Sequence, residues 1–169
     1  MTLTYSYFEA PPTVLVVDDN RDMVDILSRF LSKKGMVVLP AYSGQQCLEK
    51  VKQSAVDAIV LDVMMPGMDG LEVCATLKKM ETTCSIPVIL LTAQDDMTTY
   101  LAAMKLGVSE FVVKPARIQD VFARIRTHVE CSRKVREMEC ALAREMSSAT
   151  VFGGDAPKME TGQRESWKT

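Results

Sequence analysis

Ala58-Ile59-Val60-Leu61-Asp62-Val63-Met64-Met65-Pro66-Gly67-Met68-Asp69-Gly70 is the stretch that decides the fold. Four aliphatic residues end on an acid, and turn-forming residues follow. A short, fully apolar run bounded in this way reads as a strand buried on both faces. The same phrase recurs three times. Val14-Leu15-Val16-Val17 ends on Asp18-Asp19, Val88-Ile89-Leu90-Leu91 on Thr92, and Phe111-Val112-Val113 on Lys114-Pro115. In an open parallel sheet such strand ends share one edge, and ligands bind in the crevice outside it. Three carboxylates, a hydroxyl and an ammonium are thus predicted to meet in one pocket. Clustered carboxylates repel one another and call for a cation. A hard divalent metal such as Mg²⁺ suits an all-oxygen set and keeps positions open for a phosphate.

Working outward, strand and helix signals alternate five times from Thr13. Strands are predicted at 13–18, 36–40, 57–62, 87–91 and 110–113. Met23, Ile26, Leu27, Phe30 and Leu31 mark one stripe of a helix over 21–34, closed by Gly35. Ser43 is placed to cap a helix over 44–53, with Cys47, Leu48 and Val51 facing inward. Asp69 is placed to cap 70–80, with an apolar face of Leu71, Val73, Cys74 and Leu77. A fourth helix over 96–106 offers Tyr100, Leu101, Met104 and Leu106, and Gly107 ends it. Strands alternating with helices of this length imply an α/β fold with a doubly wound parallel sheet.

The last helix starts near Ile118 and does not stop at about 130, where a compact domain would end. Val121, Ile125, Cys131, Val135, Met138 and Leu142 continue the apolar pattern to about Met146, with charges between them. This extended C-terminal helix resembles a short coiled-coil stalk, and a coil implies a homodimer. The plainer reading is a solvated, fraying helix. The sequence therefore divides into a disordered arm at 1–12, a domain at 13–130, a helical stalk at 131–146 and a disordered tail at 147–169.

Composition excludes several function classes. The chain has 169 residues, 47% of them hydrophobic, and a net charge of −2. That charge leaves no electrostatic footprint for direct nucleic-acid binding or for an anionic membrane. No apolar run approaches the roughly 20 residues of a membrane span, and Met1–Pro12 lacks the features of a secretory signal. Cys47, Cys74, Cys84, Cys131 and Cys140 are odd in number and contain no C-x-x-C, which argues against a disulfide framework or zinc site and fits the cytoplasm. The one histidine, His128, falls in a predicted helix and rules out most histidine-based sites.

Taken in order, the pair Asp18-Asp19, the stretch Leu61 to Gly70, the pair Thr92-Ala93 and Lys114-Pro115 resemble the receiver domain of two-component response regulators. Asp62 and Thr92 lie 30 positions apart, and Thr92 and Lys114 lie 22 apart. The resemblance covers about Pro12 to Glu130. It implies a flavodoxin-like (βα)5 fold with strand order 2-1-3-4-5. It also implies that Asp62 is the phosphoacceptor for a sensor histidine kinase or phosphotransfer protein. By the same resemblance Asp19, Asp62 and the Met64 backbone carbonyl bind Mg²⁺ directly, and Asp18 does so mostly through water. Lys114 pairs with Asp62 before transfer and with the phosphoryl group after it, and Thr92 bonds another phosphoryl oxygen. Thr92 and Phe111 form the switch, read out on the helix 4–strand 5–helix 5 face to a downstream protein effector. Phe111 stands where Tyr is more common and lacks its hydroxyl. Met64 and Gln94 flank the path of an attacking water. A cis peptide is implied at Lys114-Pro115.

Plainer readings stand beside these. Asp18 or Asp19 caps the first helix, Thr92 caps a turn, Asp62 and Lys114 form a structural salt bridge, and Phe111 is fixed core. Two alternative functions follow: a dimerisation scaffold indifferent to phosphorylation, and a haloacid-dehalogenase-like phosphotransferase. The latter needs an acid two residues after the nucleophile, where Met64 stands. The chain is therefore expected to be no enzyme beyond its own phosphotransfer and dephosphorylation. It reads as a stand-alone regulator or as a fragment of a longer one.

Overall fold

The structure, a computed structural model, describes residues 10–93 and 97–151. Among these residues five strands and five helices alternate. They are β1 (Thr13–Val17), α1 (Arg21–Lys33), β2 (Val37–Ala41), α2 (Gly44–Gln53), β3 (Ala58–Asp62), α3 (Gly70–Lys79), β4 (Val88–Thr92), α4 (Met97–Lys105), β5 (Glu110–Val113) and α5 (Ile118–Val151). All pairings are parallel and the order is β2-β1-β3-β4-β5. This is the flavodoxin-like order, with its switch point between β1 and β3. Pro40 lies on β2, an edge strand, where a missing N–H breaks no ladder.

Alternation along the strands builds two cores. Leu15, Val17, Ile59, Leu61 and Leu90 pack with Cys47, Leu48 and Val51 of α2, Val73 and Leu77 of α3, and Ala103 of α4. Their neighbours Val14, Val16, Val60, Ile89 and Leu91 face Val24, Leu27 and Leu31 of α1 and Val121, Phe122, Ile125 and Val129 of α5. Each fully buried aliphatic side chain contributes about 1.5–3 kcal/mol by leaving water. Strands β3 and β4 are buried at every position, which is why they read as continuous apolar runs.

The helix ends follow local chemistry. Ser43 caps α2, and Asp69 with Glu72 forms a capping box on α3. The cap of α1 is Asn20, whose Oδ1 accepts from the N–H groups of Asp22 and Met23. Neither Asp18 nor Asp19 is spent on it. Gly35 and Gly107 both sit at positive φ, where the chain leaves α1 and α4.

Two helical faces differ from the expected ones. In α1 the buried line is Val24, Leu27 and Leu31, while Met23 and Ile26 are exposed. Val24 lies on the arc facing the sheet, and Ile26 lies nearly opposite it. In α4 only Ala103 is buried, and Tyr100, Leu101 and Met104 are exposed. The helix meets the sheet through its small residue, so the larger ones turn outward.

The chain divides into two units between Lys134 and Val135. The first unit holds the sheet. In it, Arg133 of α5 donates to both oxygens of Asp57, at 3.1 and 3.4 Å, and to the carbonyl of Ala10 at 2.7 Å. Asp57 Oδ2 also accepts from the N–H of Thr13, the first residue of β1. A guanidinium fork on a carboxylate is the stronger kind of ion pair, and this one is largely shielded. The second unit contains the rest of α5, on which Val135, Met138, Leu142 and Met146 are exposed.

Removing either partner should be felt in stability. Arg133→Ala and Asp57→Ala are each expected to lower the unfolding free energy by about 1–3 kcal/mol, and the double variant should lose less than the sum. Urea denaturation checks this, and unchanged midpoints would refute it.

Candidate functional site: an acidic pocket at the sheet's carboxyl edge

Strands β1, β3 and β4 end together, and their last residues or the next ones carry the polar groups. Asp18 follows β1, Asp62 ends β3 and Thr92 ends β4. All three are buried, with Asp18 at 4%, Asp62 at 5% and Thr92 at 0% exposure. Asp19 is exposed beside them. One carboxylate oxygen from each of Asp18, Asp19 and Asp62 lies within 4.8 Å of the others. Lys114, just past β5, reaches across with Nζ donating to Asp18 Oδ2 and to Asp62 Oδ1, both at 2.8 Å. The Lys114-Pro115 peptide is cis, as the resemblance implies.

Sequence-distant segments are tied to this edge by backbone bonds. Asp18 N–H donates to the Ala41 carbonyl, Val63 N–H to that of Leu91, and Lys114 N–H to that of Thr92. The acids are therefore held by the sheet itself.

Charge at the site is unbalanced. Burial pushes the Asp62 carboxyl above its ordinary value, the bonds and charge of Lys114 pull it down, and the charges of Asp18 and Asp19 raise it further. The net direction is upward. Burial also disfavours the Lys114 ammonium, yet its hydrogen bonds to Asp18 and Asp62 and their charges leave its pKa raised. Lys114 is thus strongly held, and the three acids outnumber it. Asp18 Oδ1 accepts from the Asn20 N–H. Among the described residues no hydrogen bond occupies Asp62 Oδ2 or Asp19. These hard oxygens fit a small divalent cation.

Two hollows flank Lys114 and the acids. A groove of about 490 Å³ is lined by Asp19, Met64, Pro66, Asp69 and Thr99. A more apolar cavity of about 410 Å³ is lined by Met23, Leu27, Leu91, Pro115 and Ile118 with Lys114 at its wall. Met64 is 58% exposed at the mouth of the first. Gln94 lies outside the described residues.

Phe111 sits on β5 three residues before Lys114. It is half-buried against the α2–α4 core and stacks edge-to-face on Tyr100 of α4, with ring centroids 5.5 Å apart. Tyr100 belongs to the apolar set expected of the fourth helix, and local spacing gives no sign of its Phe111 partner. Asp69, the cap of α3 and part of the stretch that carries the resemblance, also lines the groove with Asp19. His128 is not at the site: it lies 3.3 Å from Glu110 on the α5 side of β5.

An acid cluster closed by a lysine at the carboxyl edge of a 2-1-3-4-5 sheet defines the receiver class. The response regulator receiver domain family matches residues 14–126, and the chain belongs to it. Response regulator MprA of Mycobacterium ulcerans (strain Agy99) is 40% identical over 113 residues, 67% of this chain and 48% of that protein. MprA of Mycobacterium leprae (strain TN) is 41% identical over 113 residues, again 67% of this chain and 49% of that one. The chain spans about half the length of these curated relatives. Among solved structures, a putative response regulator from Chloroflexus aurantiacus J-10-fl has a TM-score of 0.67 at 30% identity, covering 71% of this chain and 98% of that one. A CheY-like receiver protein from Methanospirillum hungatei JF-1 reaches 0.70 at 20% identity, covering 74% and 98%, and speaks for the fold alone. Among the described residues no helix is long and apolar enough to cross a membrane.

The raised Asp62 pKa gives a signed prediction. A carboxyl raised in the folded state favours folding when protonated. Its burden is absent below the ordinary value of 3.8 and grows as pH rises through the folded value. In metal-free buffer at pH 7, Asp62→Asn should therefore raise the thermal midpoint, and the gap should close toward pH 4. Thermal melts from pH 4 to 8 check it. A variant that melts below the wild type at pH 7 would contradict it.

Proposed function

We propose that this chain is a phosphorylation-controlled receiver in two-component signalling, with Asp62 as the phosphoacceptor. The observation that carries the reading is the buried Asp62, raised in pKa, held by Lys114 and still short of positive charge. The donor is a phosphohistidine of a sensor kinase or phosphotransfer protein.

Asp19, Asp62 and the Met64 carbonyl would hold Mg²⁺, with Asp18 through water. When bound, the ion supplies charge neutralisation for the incoming phosphoryl oxygens. An Asp62 carboxylate oxygen attacks phosphorus in line, forming the acyl phosphate as the P–N bond to the donor imidazole breaks. The P–N electron pair returns to the donor imidazole, which takes up its proton from solvent. Lys114 exchanges an Asp62 oxygen for a phosphoryl oxygen, a move suited to a flexible point charge. The Thr92 hydroxyl takes another.

Switching is proposed to pass from Thr92 to Phe111. Phe111 changes its packing against Tyr100, and the α4–β5–α5 face changes with it. The effector is a protein. Beyond Lys134 the exposed Val135, Met138, Leu142 and Met146 follow steps of 3, 4 and 4, which supports pairing with a second copy through a stalk at 131–146. The exposed thioether of Met64 supports a signalling role over a haloacid-dehalogenase-like one, since it cannot act as general acid.

Incubation with Mg²⁺ and acetyl phosphate should add one phosphoryl group to the intact mass. The adduct should be absent in Asp62→Asn, and its formation should slow by about tenfold or more in Lys114→Ala. An adduct that survives Asp62→Asn would refute the assignment. Separately, Leu142→Glu should shift the protein toward monomer in light-scattering chromatography without changing phosphorylation. An unchanged dimer would place the interface elsewhere.

A further inference from the structure

We infer that Gly70 is a positioning residue for the phosphoryl acceptor, because the absence of its side chain lets α3 seat directly against the backbone of Asp62. The inference rests on the function proposed above and concerns how the acceptor is aimed. Gly70 is the first residue of α3 and is buried. Its N–H donates to the Val63 carbonyl at 2.9 Å. A Cβ at this position would fall 2.2 Å from the Asp62 carbonyl oxygen, 2.8 Å from Val63 Cα and 3.0 Å from the Asp62 carbonyl carbon. All three are backbone atoms, so no side chain can swing away to make room.

The need for glycine here is spatial. Gly67, three residues earlier, is the opposite case: it has φ of 81° with open space around it, a turn requirement. The capping box of Asp69 and Glu72 fixes the first turn of α3, so that turn cannot back away freely. Any Cβ at position 70 must therefore push the Asp62–Val63 peptide. That peptide carries the acceptor carboxylate on one side and leads to the Met64 carbonyl on the other. A displacement of about 1 Å at a reacting group is enough for losses of up to a hundredfold.

Gly44 supplies the matched control. A Cβ there would meet Val73 Cγ2 at 2.5 Å and Met68 at 3.1 Å, so its tightest contacts strain α3 and the turn before it rather than the Asp62–Val63 peptide.

The test compares Gly70→Ala with Gly44→Ala in the full chain. Three readouts are taken: urea midpoint, initial rate of acetyl-phosphate labelling at saturating Mg²⁺, and the Asp62, Val63 and Met64 amide resonances during Mg²⁺ titration. Both variants should lose stability. Gly70→Ala should also label at least about tenfold more slowly, bind Mg²⁺ more weakly and show shifted resonances at 62–64 before metal is added. Gly44→Ala should label within about twofold of the wild type. Equal labelling losses in the two variants, or a Gly70→Ala rate within twofold of wild type, overturn the inference. If Gly70→Ala does not fold, Glu72→Ala replaces it, loosening the same turn at an exposed position. It should slow labelling about two- to fivefold, and an unchanged rate overturns the inference. A wild type that never labels refutes the proposed function instead, and the metal-free resonances at 62–64 still decide whether Gly70 holds that peptide.

Discussion

The bridge from Lys114 to Asp18 and Asp62 is the interaction on which the arrangement at the sheet edge depends. Three acids within 4.8 Å would drive one another apart or take up protons. A single ammonium, 2.8 Å from two of them, holds the pair together. It does so incompletely, because burial and the neighbouring acids still raise Asp62. A buried ion pair is weak evidence for stability, since desolvation offsets most of its attraction. Here three acids face one ammonium, so the pocket carries more negative charge than Lys114 offsets.

The sheet makes that concentration of charge possible. Parallel strands put every carboxyl end on one side, and register fixes which residue arrives there. Asp62 pairs opposite Leu91 and Thr92 opposite Val113, so each polar terminus follows an aliphatic neighbour that stays in the core. A slip of one residue would exchange the two cores and turn the acids away from the edge. The apolar strands thus specify the site as firmly as the acids do.

Much of this was legible in the sequence because burial on both faces leaves an unmistakable apolar run, and strand ends carry the chemistry. The five strands lie within a residue or so of their expected positions, and Ser43 and Asp69 cap the helices they were read to cap. What was not legible depends on the third dimension. The α1 stripe was drawn through Ile26 because periodicity alone does not choose between adjacent arcs, and only docking on the sheet selects Val24. Helix α4 was assigned a large apolar face, whereas it touches the core through Ala103. Tyr100 meets Phe111 across 11 residues of chain, and Arg133 meets Asp57 across 76, with no local pattern to announce either. Asn20 was overshadowed as a cap by the two acids before it. Asp18, Asp19, Asp62 and Lys114 were expected to meet, and the fold brings them together. Their roles in phosphoryl transfer rest on the proposal.

The five cysteines form no disulfide among the described residues and divide by environment. Cys47 and Cys74 lie in the core, where burial pushes the Cys47 thiol up to about 12 and also raises that of Cys74. Burial and the raised thiol pKa both disfavour their reaction with oxidants and alkylating reagents. Cys84, Cys131 and Cys140 face solvent. Oxidation in air is thus directed to the surface sulfurs and away from the two in the core. Cys84, outside the proposed stalk, offers a handle for fluorophores or spin labels that leaves the packing intact.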